Sequence, residues 1–309
     1  MLTVIIPVYR NADAALRLAR TLISQSLPDG HSLEIIAVDD GSGDNTAERL
    51  TQAQIPLLRV ITLSENRGRA AVRNLGAKVA LGEILAFIDC DCLPQSHDLL
   101  ARHVAMLSQG CVASCGPTSG REKGFWGRYQ EAASRRRQKQ YENGVPYAGT
   151  TANLAVLASA FFSVGGFDEG YRHYGFEDRD ILIRLSRIGE VVWCAEATMQ
   201  HLDLLTIKSV LVKMQRAAGP SAEKFSGDHA DAYRALGFSA LDTRLHPWLK
   251  ALGYVTAPLV RKAGLLDRVL DQRWVPYSVA AASVKTLSAL AFLQGTMVTN
   301  QECSLGKQR

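Results

Sequence analysis

Apolar residues in the first third of the chain fall into short unbroken runs that alternate with helically spaced ones. Leu2 to Ile6 is a continuous apolar run halted by Pro7, the pattern of a strand buried on both faces. Ala15, Leu18, Ala19, Leu22 and Ile23 then recur at helical spacing, which predicts a helix packed on that strand. The cycle repeats. Leu33 to Val38 predicts a second strand ending in Asp39-Asp40-Gly41-Ser42-Gly43-Asp44, a helix follows from Thr46 to Ala53, and Leu57 to Leu63 supplies a third strand. Asn66-Arg67-Gly68 leads into the Ala-rich segment Ala70 to Ala80, and Gly82 resets the chain. Ile84 to Ile88 is a fourth strand, ending in Asp89-Cys90-Asp91-Cys92. Strands alternating with helices predict a parallel sheet joined by right-handed crossovers.

After Cys111 to Cys115 the pattern becomes irregular. The basic, aromatic stretch from Gly120 to Tyr147 is expected to hold acceptor-specific structure or a mobile loop. Order returns at Thr150 to Val156. Ile181, Leu182, Leu185 and Ile188 form a helical stripe, and Val191 to Cys194 reads as a late strand followed by Gln200-His201. Farther on, His246 to Leu265 mixes Trp248, Leu249, Leu252, Tyr254 and Val255 with cations, and Pro258 should interrupt any helix there. Ser278 to Val298 is nearly uncharged and just long enough to span a bilayer. Its Lys285, Gln294 and hydroxyls favour helices in the membrane interface or packed on the catalytic domain.

The polar strand ends carry the chemistry. Residues two apart on a strand share a face, so Asp89 and Asp91 can converge on one ligand. Two neighbouring carboxylates repel, and a hard divalent cation backed by a phosphate relieves that repulsion; a strand end running into a polar turn would look the same. In parallel sheets ligands bind beyond the carboxyl ends of strands, and Pro7-Val8-Tyr9, Asp39-Asp40 and Asp89-Cys90-Asp91 all lie there. The glycines around Ser42 match neither a P-loop nor the dinucleotide fingerprint. Acidic strand ends point instead to ribose or base recognition with a metal-held diphosphate. Glu177 and Asp178 sit where a helix should begin, favourable as partners of its dipole and equally placed for a general base. His201 is either a structural histidine or a metal ligand.

Composition narrows the alternatives. With 309 residues, 47% of them hydrophobic, the chain can form one large domain, or a domain of about 230 residues with an appendage. A net charge of +5 is too mild to argue for nucleic acid. The cations are unevenly placed: Arg135, Arg136, Arg137 and Lys139 cluster, preceded by Arg121, Lys123 and Arg128 around Phe125 and Trp126. This mixture suits anionic lipid headgroups or a phosphate-bearing acceptor, or simply a solvated helix face. The six cysteines, Cys90, Cys92, Cys111, Cys115, Cys194 and Cys303, lack zinc-site spacing and are expected to be thiols in a reducing cytoplasm. The N-terminus shows no signal-peptide pattern.

Pro7-Val8-Tyr9, Asp39-Asp40-Gly41-Ser42, Asn66-Arg67-Gly68, Arg73-Asn74-x-Gly76, Asp89-Cys90-Asp91, Gly165-Gly166-Phe167-Asp168-Glu169 and Glu177-Asp178 occur in the order seen in family 2 glycosyltransferases, which the chain resembles over residues 2 to 205. The resemblance implies an α/β fold of the GT-A type, Rossmann-like, with a mostly parallel sheet flanked by helices and a helical C-terminal extension. It implies a catalytic domain over 1–230, with a nucleotide-sugar half over 1–115 and an acceptor half over 116–230; beyond it the family pattern gives no guidance, and the apolar runs of 231–309 are read as a helical region either membrane-associated or packed on the catalytic domain. It further implies inverting transfer of one sugar from a nucleotide-diphosphate sugar, most often a UDP-sugar, to a hydroxyl of a glycan or lipid-linked acceptor; the basic cluster and the apolar tail together suit a lipid-linked acceptor at the cytoplasmic face of a membrane. By position, Asp39 would hold the uracil or ribose, Pro7 and Tyr9 would line the nucleotide pocket, and Arg73 would lie near the base or diphosphate. Asp89 would approach ribose and metal, Asp91 would bind Mg²⁺ or Mn²⁺, and His201 would complete the metal site. Asp178 would be the base, with Glu177 beside it orienting the acceptor. The Q-x-x-R-W motif of processive synthases is absent, since Gln215-Arg216-Ala217-Ala218 does not supply it, so polymerisation is not expected. Two rival readings are a sugar-phosphate nucleotidyltransferase, whose glycine-rich N-terminal loop has no counterpart in Leu2 to Asp13, and a silent nucleotide-binding or membrane-recruiting module.

Overall fold

The computed structural model describes residues 1–121, 124–270, 272 and 274–297, which form two compact units. The first comprises 1–121, 130–172 and 178–203; the second holds the described residues within 122–129, 173–177 and 204–309.

The first unit opens with β1 (Leu2–Val8), α1 (Ala12–Leu22), β2 (Leu33–Asp39), α2 (Thr46–Gln52), β3 (Leu58–Thr62), α3 (Arg69–Val79) and β4 (Ile84–Ile88), within a residue or two of the expected bounds. It continues with β5 (Cys92–Pro94), α4 (Leu99–Ser108), β6 (Ala113–Cys115), β7 (Thr118–Gly120), α5 (Phe125–Glu142), β8 (Asn153–Leu157), α6 (Ala158–Ser163), α7 (Glu177–Ser186), β9 (Val191–Trp193) and β10 (Met199–His201). The first residues of α5 and of α7 belong to the second unit.

Seven strands make one sheet in the order β3-β2-β1-β4-β8-β6-β9. Its pairs are parallel, as expected, except that β8 runs antiparallel between β4 and β6. That reversal matters for the site. An antiparallel neighbour brings its N-terminal end to the carboxyl end of β4, so Asn153 pairs with Ile88. Strand alternation builds a core on each face. Ile84, Ala86 and Ile88 of β4 pack with Leu18 and Leu22 of α1 and Leu100 and Val104 of α4. Leu85 and Phe87 pack on the other side with Ala70 and Ala77 of α3, Phe161 of α6, and Ile181 and Leu185 of α7. Gly76 lets α3 approach β1, because a Cβ there would lie 2.5 Å from Ile5 Cγ2.

A second, small sheet has the order β5-β10-β7. Antiparallel pairing of β10 with β5 sets His201 opposite Cys92. Behind the main sheet lies a buried polar cluster. The two ring nitrogens of His103 lie 2.9 Å from Ser114 Oγ and 3.0 Å from Asn153 Oδ1, while Asn153 Nδ2 donates to the carbonyl of Ala197 at 2.7 Å. Burial pushes the His103 imidazolium down to about 4, so the ring is neutral near pH 7.

The stretch from Gly120 to Tyr147, expected to be irregular, carries the 18-residue helix α5 among its described residues. Its polar sequence offers no apolar stripe, yet Arg, Gln, Lys, Glu and Ala are good helix formers. Arg135, Arg136, Arg137 and Lys139 fall on this helix.

The second unit is helical: α8 (Ile207–Ala218), α9 (Pro220–Asp228), α10 (Ala230–Ala235), α11 (Leu249–Lys262), α12 (Asp267–Leu270) and α13 (Tyr277–Gly295). A capping box of Thr206 and Ser209 starts α8. The core joins Ile207 and Leu211 to Val260 and to Ala280, Val284, Leu287 and Ala291 of α13, with Phe125 and Trp126 added. Pro258 was expected to break a helix here; instead it lies inside α11. The proline forfeits one intrahelical bond, at a typical cost of about 3 kcal/mol, and burial of Leu249, Gly253 and Val260 on either side of it holds the helix together. Helix α13 covers most of Ser278 to Val298, and its buried residues serve this core. Among the described residues no helix is long and apolar enough to cross a membrane. Cys303, Lys123 and the end of that apolar run lie outside the described residues.

Candidate active site

Each acidic strand end is held differently. At the end of β2, Asp39 accepts a very short hydrogen bond from Ser42 Oγ. Ser42 in turn receives the backbone N–H of Arg10 at 2.8 Å, and its carbonyl accepts from Arg10 Nε at 3.0 Å. Asp40 accepts the N–H groups of Arg67 and Gly68 at 2.7 and 3.0 Å, fixing the loop into α3. Burial raises the Asp40 carboxyl, although those two donors work against the shift. Gly41 has φ +63, and a Cβ there would sit 2.4 Å from the carbonyl carbon of Glu65, so this turn admits only glycine. Pro7 and Tyr9 flank the end of β1, with the exposed Tyr9 ring lying under the Arg10 guanidinium at 5.1 Å.

At the end of β4 the charges are met by side chains. Arg73, on α3 and fully buried, donates from Nη2 to Asp89 Oδ1 at 2.8 Å, and its Nη1 lies 3.6 Å from Asp178 Oδ1. Burial disfavours an ionised Asp89, but the charges of Arg73 and Arg69 outweigh it and hold the carboxyl below its ordinary range. The guanidinium lies over the ring of Phe167 at 5.3 Å. That ring is fixed from both directions. Asn74, next to Arg73, exchanges two 2.8 Å hydrogen bonds with the Phe167 backbone, and Arg184 donates to the carbonyls of Val164 and Gly166 at 2.7 Å each. The Arg73-Asn74 and Gly166-Phe167 motifs are thus halves of one device that aims a buried cation between Asp89 and Asp178. Nε and Nη1 of Arg73 are buried without hydrogen-bond partners, which leaves donors for a further acceptor.

Thr151 just before β8 donates a very short hydrogen bond to Asp178 Oδ1. Asp178 is the second residue of α7, and Glu177, the first, is buried. Sequence reasoning missed Thr151 because its place depends on the antiparallel course of β8.

Asp91 lies beyond the end of β4. Its Oδ2 is 3.5 Å from His201 Nε2, and its carbonyl accepts the N–H of Leu202 at 2.7 Å. Asp91, Cys92 and His201 form a group whose ligand atoms all lie within 4.8 Å of one another; Asp89 is not part of it. Burial raises the Asp91 carboxyl; His201 opposes the shift, while Asp89 and Asp203 add to it. Buried excess negative charge is what a divalent cation relieves, and His201 Nδ1 is buried without a hydrogen-bond partner. Cys92 is a poor ligand for a hard cation, since burial and the neighbouring carboxylates keep its thiol protonated. The residues present therefore fit an oxygen- and imidazole-bound divalent metal at Asp91 and His201.

The first unit thus brings together Arg73, Asp89 and Asp178 in one set and Asp91 with His201 in another, along one edge of β4. Asp39 and Asp40 sit two strands away, across β1.

The chain is 36% identical over 108 residues to glycosyltransferase AglE of Haloferax volcanii, covering 34% of this chain and 35% of that protein. It is 28% identical over 242 residues to the uncharacterized glycosyltransferase YfnE of Bacillus subtilis, 60% of each chain. The alignments thus span about a third to three-fifths of these relatives. Among solved structures, the mannosyltransferase PcManGT of Pyrobaculum calidifontis, in complex with GDP-Man and Mn²⁺, superposes with a TM-score of 0.62 at 19% identity, over 95% of this chain and 86% of that one. This shows a shared fold. The family model for the N-terminal domain of galactosyltransferase matches residues 135–202. The model for glycosyl transferase family 2 matches residues 3–164, more than half of the chain and every strand from β1 to β8, and the chain belongs to that family.

Proposed function

We propose that the protein is an inverting glycosyltransferase that moves one sugar from a nucleotide-diphosphate sugar to a hydroxyl of a glycan or lipid-linked acceptor. The observation that carries this reading is the pairing of Asp91 with His201 beside an arginine that joins Asp89 to Asp178. Asp39, Pro7 and Tyr9 line the nucleotide site, and Arg73 offers its unused donors to the diphosphate or base. Asp89 holds the ribose and approaches the metal. Asp91 and His201 would hold Mg²⁺ or Mn²⁺, which when bound offsets negative charge on the departing diphosphate. Support for a metal and a nucleotide sugar comes from the neighbour that carries GDP-Man and Mn²⁺.

Asp178 is the general base and Glu177 orients the acceptor. The acceptor oxygen forms a bond to the anomeric carbon on the face opposite the diphosphate, and the bond from that carbon to the phosphate oxygen breaks. The hydroxyl proton passes to the Asp178 carboxylate. UDP is the first candidate base and GDP the alternative. The reading includes peripheral contact with the cytoplasmic face of a membrane, through Arg135 to Lys139 and the C-terminal region.

Thermal stabilisation by UDP, GDP, dTDP and CMP, with and without Mn²⁺, tests this reading. One nucleotide should raise the melting temperature in the presence of Mn²⁺, and the shift should vanish in Asp91→Ala. Asp178→Asn should keep the shift and lose sugar transfer. Absence of a shift from every nucleotide would refute the proposal.

A further inference from the structure

Helix α11 carries two apolar faces, and the fold accounts for one. Leu249, Gly253 and Val260 are buried, Leu249 and Val260 on the side of α11 facing the helical core. Trp248, Leu252, Val255 and Leu259 are exposed, by 73, 43, 78 and 53%. At about 100° per residue these four fall within an arc of roughly 60°, about a quarter-turn from the buried face. Tyr254 is also exposed, and the turn after α11 adds Leu265 and Leu266. Eleven of the eighteen exposed large apolar side chains among the described residues lie at or beyond Leu204. Scattered single apolar residues need no explanation, whereas a stripe of four on one helix, topped by a tryptophan, does.

The charges around the stripe name its partner. Of the exposed cations between residues 247 and 270, Lys262 lies roughly 50° from the centre of the stripe and Arg268 follows the helix, whereas Lys250 and Arg261 fall roughly 150–170° away, on the other side. The single carboxylate there, Asp267, is occupied by the backbone N–H of Ile207, at 2.9 and 3.1 Å. An exposed apolar stripe that includes a tryptophan, with Lys262 beside it on the helix and Arg268 exposed just beyond, fits the boundary between headgroups and acyl chains of an anionic bilayer. We propose that the Trp248-Leu252-Val255-Leu259 face of α11 docks on an anionic phospholipid surface, with Lys262 and Arg268 pairing with the headgroups. This rests on the membrane contact proposed above and assigns it to one surface. It does not depend on sugar transfer.

Flotation of the purified full chain with phosphatidylcholine vesicles, with or without phosphatidylglycerol, tests the assignment. The parent protein should bind the phosphatidylglycerol vesicles and bind neutral ones at least about tenfold more weakly, with affinity falling as salt rises. The double substitution Val255→Asp with Leu259→Asp should lower binding at least about tenfold, and Val255→Ser with Leu259→Ser should lower it by less. All four side-chain changes are at exposed positions, so melting temperature and circular dichroism should stay at parent values. Asp178→Asn should bind vesicles as the parent does. If the parent binds and both double variants bind equally well, membrane contact stands and its assignment to α11 is overturned. If the parent binds no vesicle, both fall. A parent that is dimeric in solution, dissociated by the aspartates and indifferent to vesicles, would replace the bilayer with a second copy of the chain.

Discussion

The two acidic strand ends of the first unit are alike in sequence and opposite in physics. Asp39 ends β2 and Asp40 follows it, and the donors that meet them are the Ser42 hydroxyl for one and the backbone N–H groups of Arg67 and Gly68 for the other. Asp89 and Asp91 follow β4 and are met by side chains from distant elements: Arg73 of α3 and His201 of β10. The first arrangement meets its carboxylates with hydroxyl and backbone donors that shape the local loops. The second leaves excess negative charge, with Arg73 Nε and His201 Nδ1 buried without hydrogen-bond partners. What reaches a pair of carboxylates across the sheet therefore sets how much uncompensated charge it keeps, and adjacent sequence does not decide that.

The sharpest way to break the contrast is to remove the cation that defines the second end. Arg73→Met should destabilise the protein by about 3–5 kcal/mol in urea unfolding, because Asp89 is left charged and unpaired in a buried setting. Lowering the pH should shrink that loss, since Asp89 then takes up a proton. Arg73→Met with Asp89→Asn should recover part of it. Equal destabilisation in the single and double variants would show that packing of the Arg73 stem on Phe167, rather than charge, is what the substitution removes.

Acid separates the neutral polar cluster from the charged one. His103 has a folded value of about 4 against an ordinary 6.5, so the unfolded chain binds the extra proton first. The stability that this group contributes is complete above about 6.5 and is lost as pH falls toward 4, to a total of about 3 kcal/mol. The share due to Asp89, whose folded value is depressed, is lost only below its ordinary 3.8. Urea midpoints taken from pH 7 to 4 should therefore fall for the parent and stay flatter for His103→Gln, whose own baseline is lower.

A smaller loss is expected at the first strand end. Asp40→Asn keeps one acceptor oxygen for two backbone donors and should cost about 1–3 kcal/mol near neutral pH in urea unfolding. Its effect on nucleotide binding should come through the displaced Arg67-Gly68 loop.

Much of this was legible in the sequence, and what was not has identifiable causes. The four N-terminal strands and their acidic ends stood out because buried parallel strands are continuous apolar runs that stop abruptly. Strands β5, β7 and β10 have three residues each, too few for any period to show, so the sheet that carries His201 to Asp91 was not visible. The antiparallel course of β8 was hidden for another reason: a central strand buried on both faces looks the same in either direction. Helix α5 lacked an apolar stripe, and Pro258 was overridden by the packing of α11. Arg73 was placed near the diphosphate by family likeness, but its bridge from Asp89 to Asp178 depends on Phe167 and Asn74, which belong to separate motifs.

Thr151 is where that hidden topology has a measurable effect. Its hydroxyl reaches Asp178 only because β8 enters the sheet beside the end of β4. If that hydrogen bond aims the base, Thr151→Val should lower kcat about tenfold, equivalent to about 1.4 kcal/mol, and leave the KM for the donor near its parent value. Thr151→Ser should restore most of the rate because it restores the hydroxyl. A structural role alone would predict a lower melting temperature in Val and Ser variants alike, without a split between kcat and KM. A serine variant as slow as the valine one would therefore remove Thr151 from the machinery and leave Arg73 as the sole side chain holding Asp178.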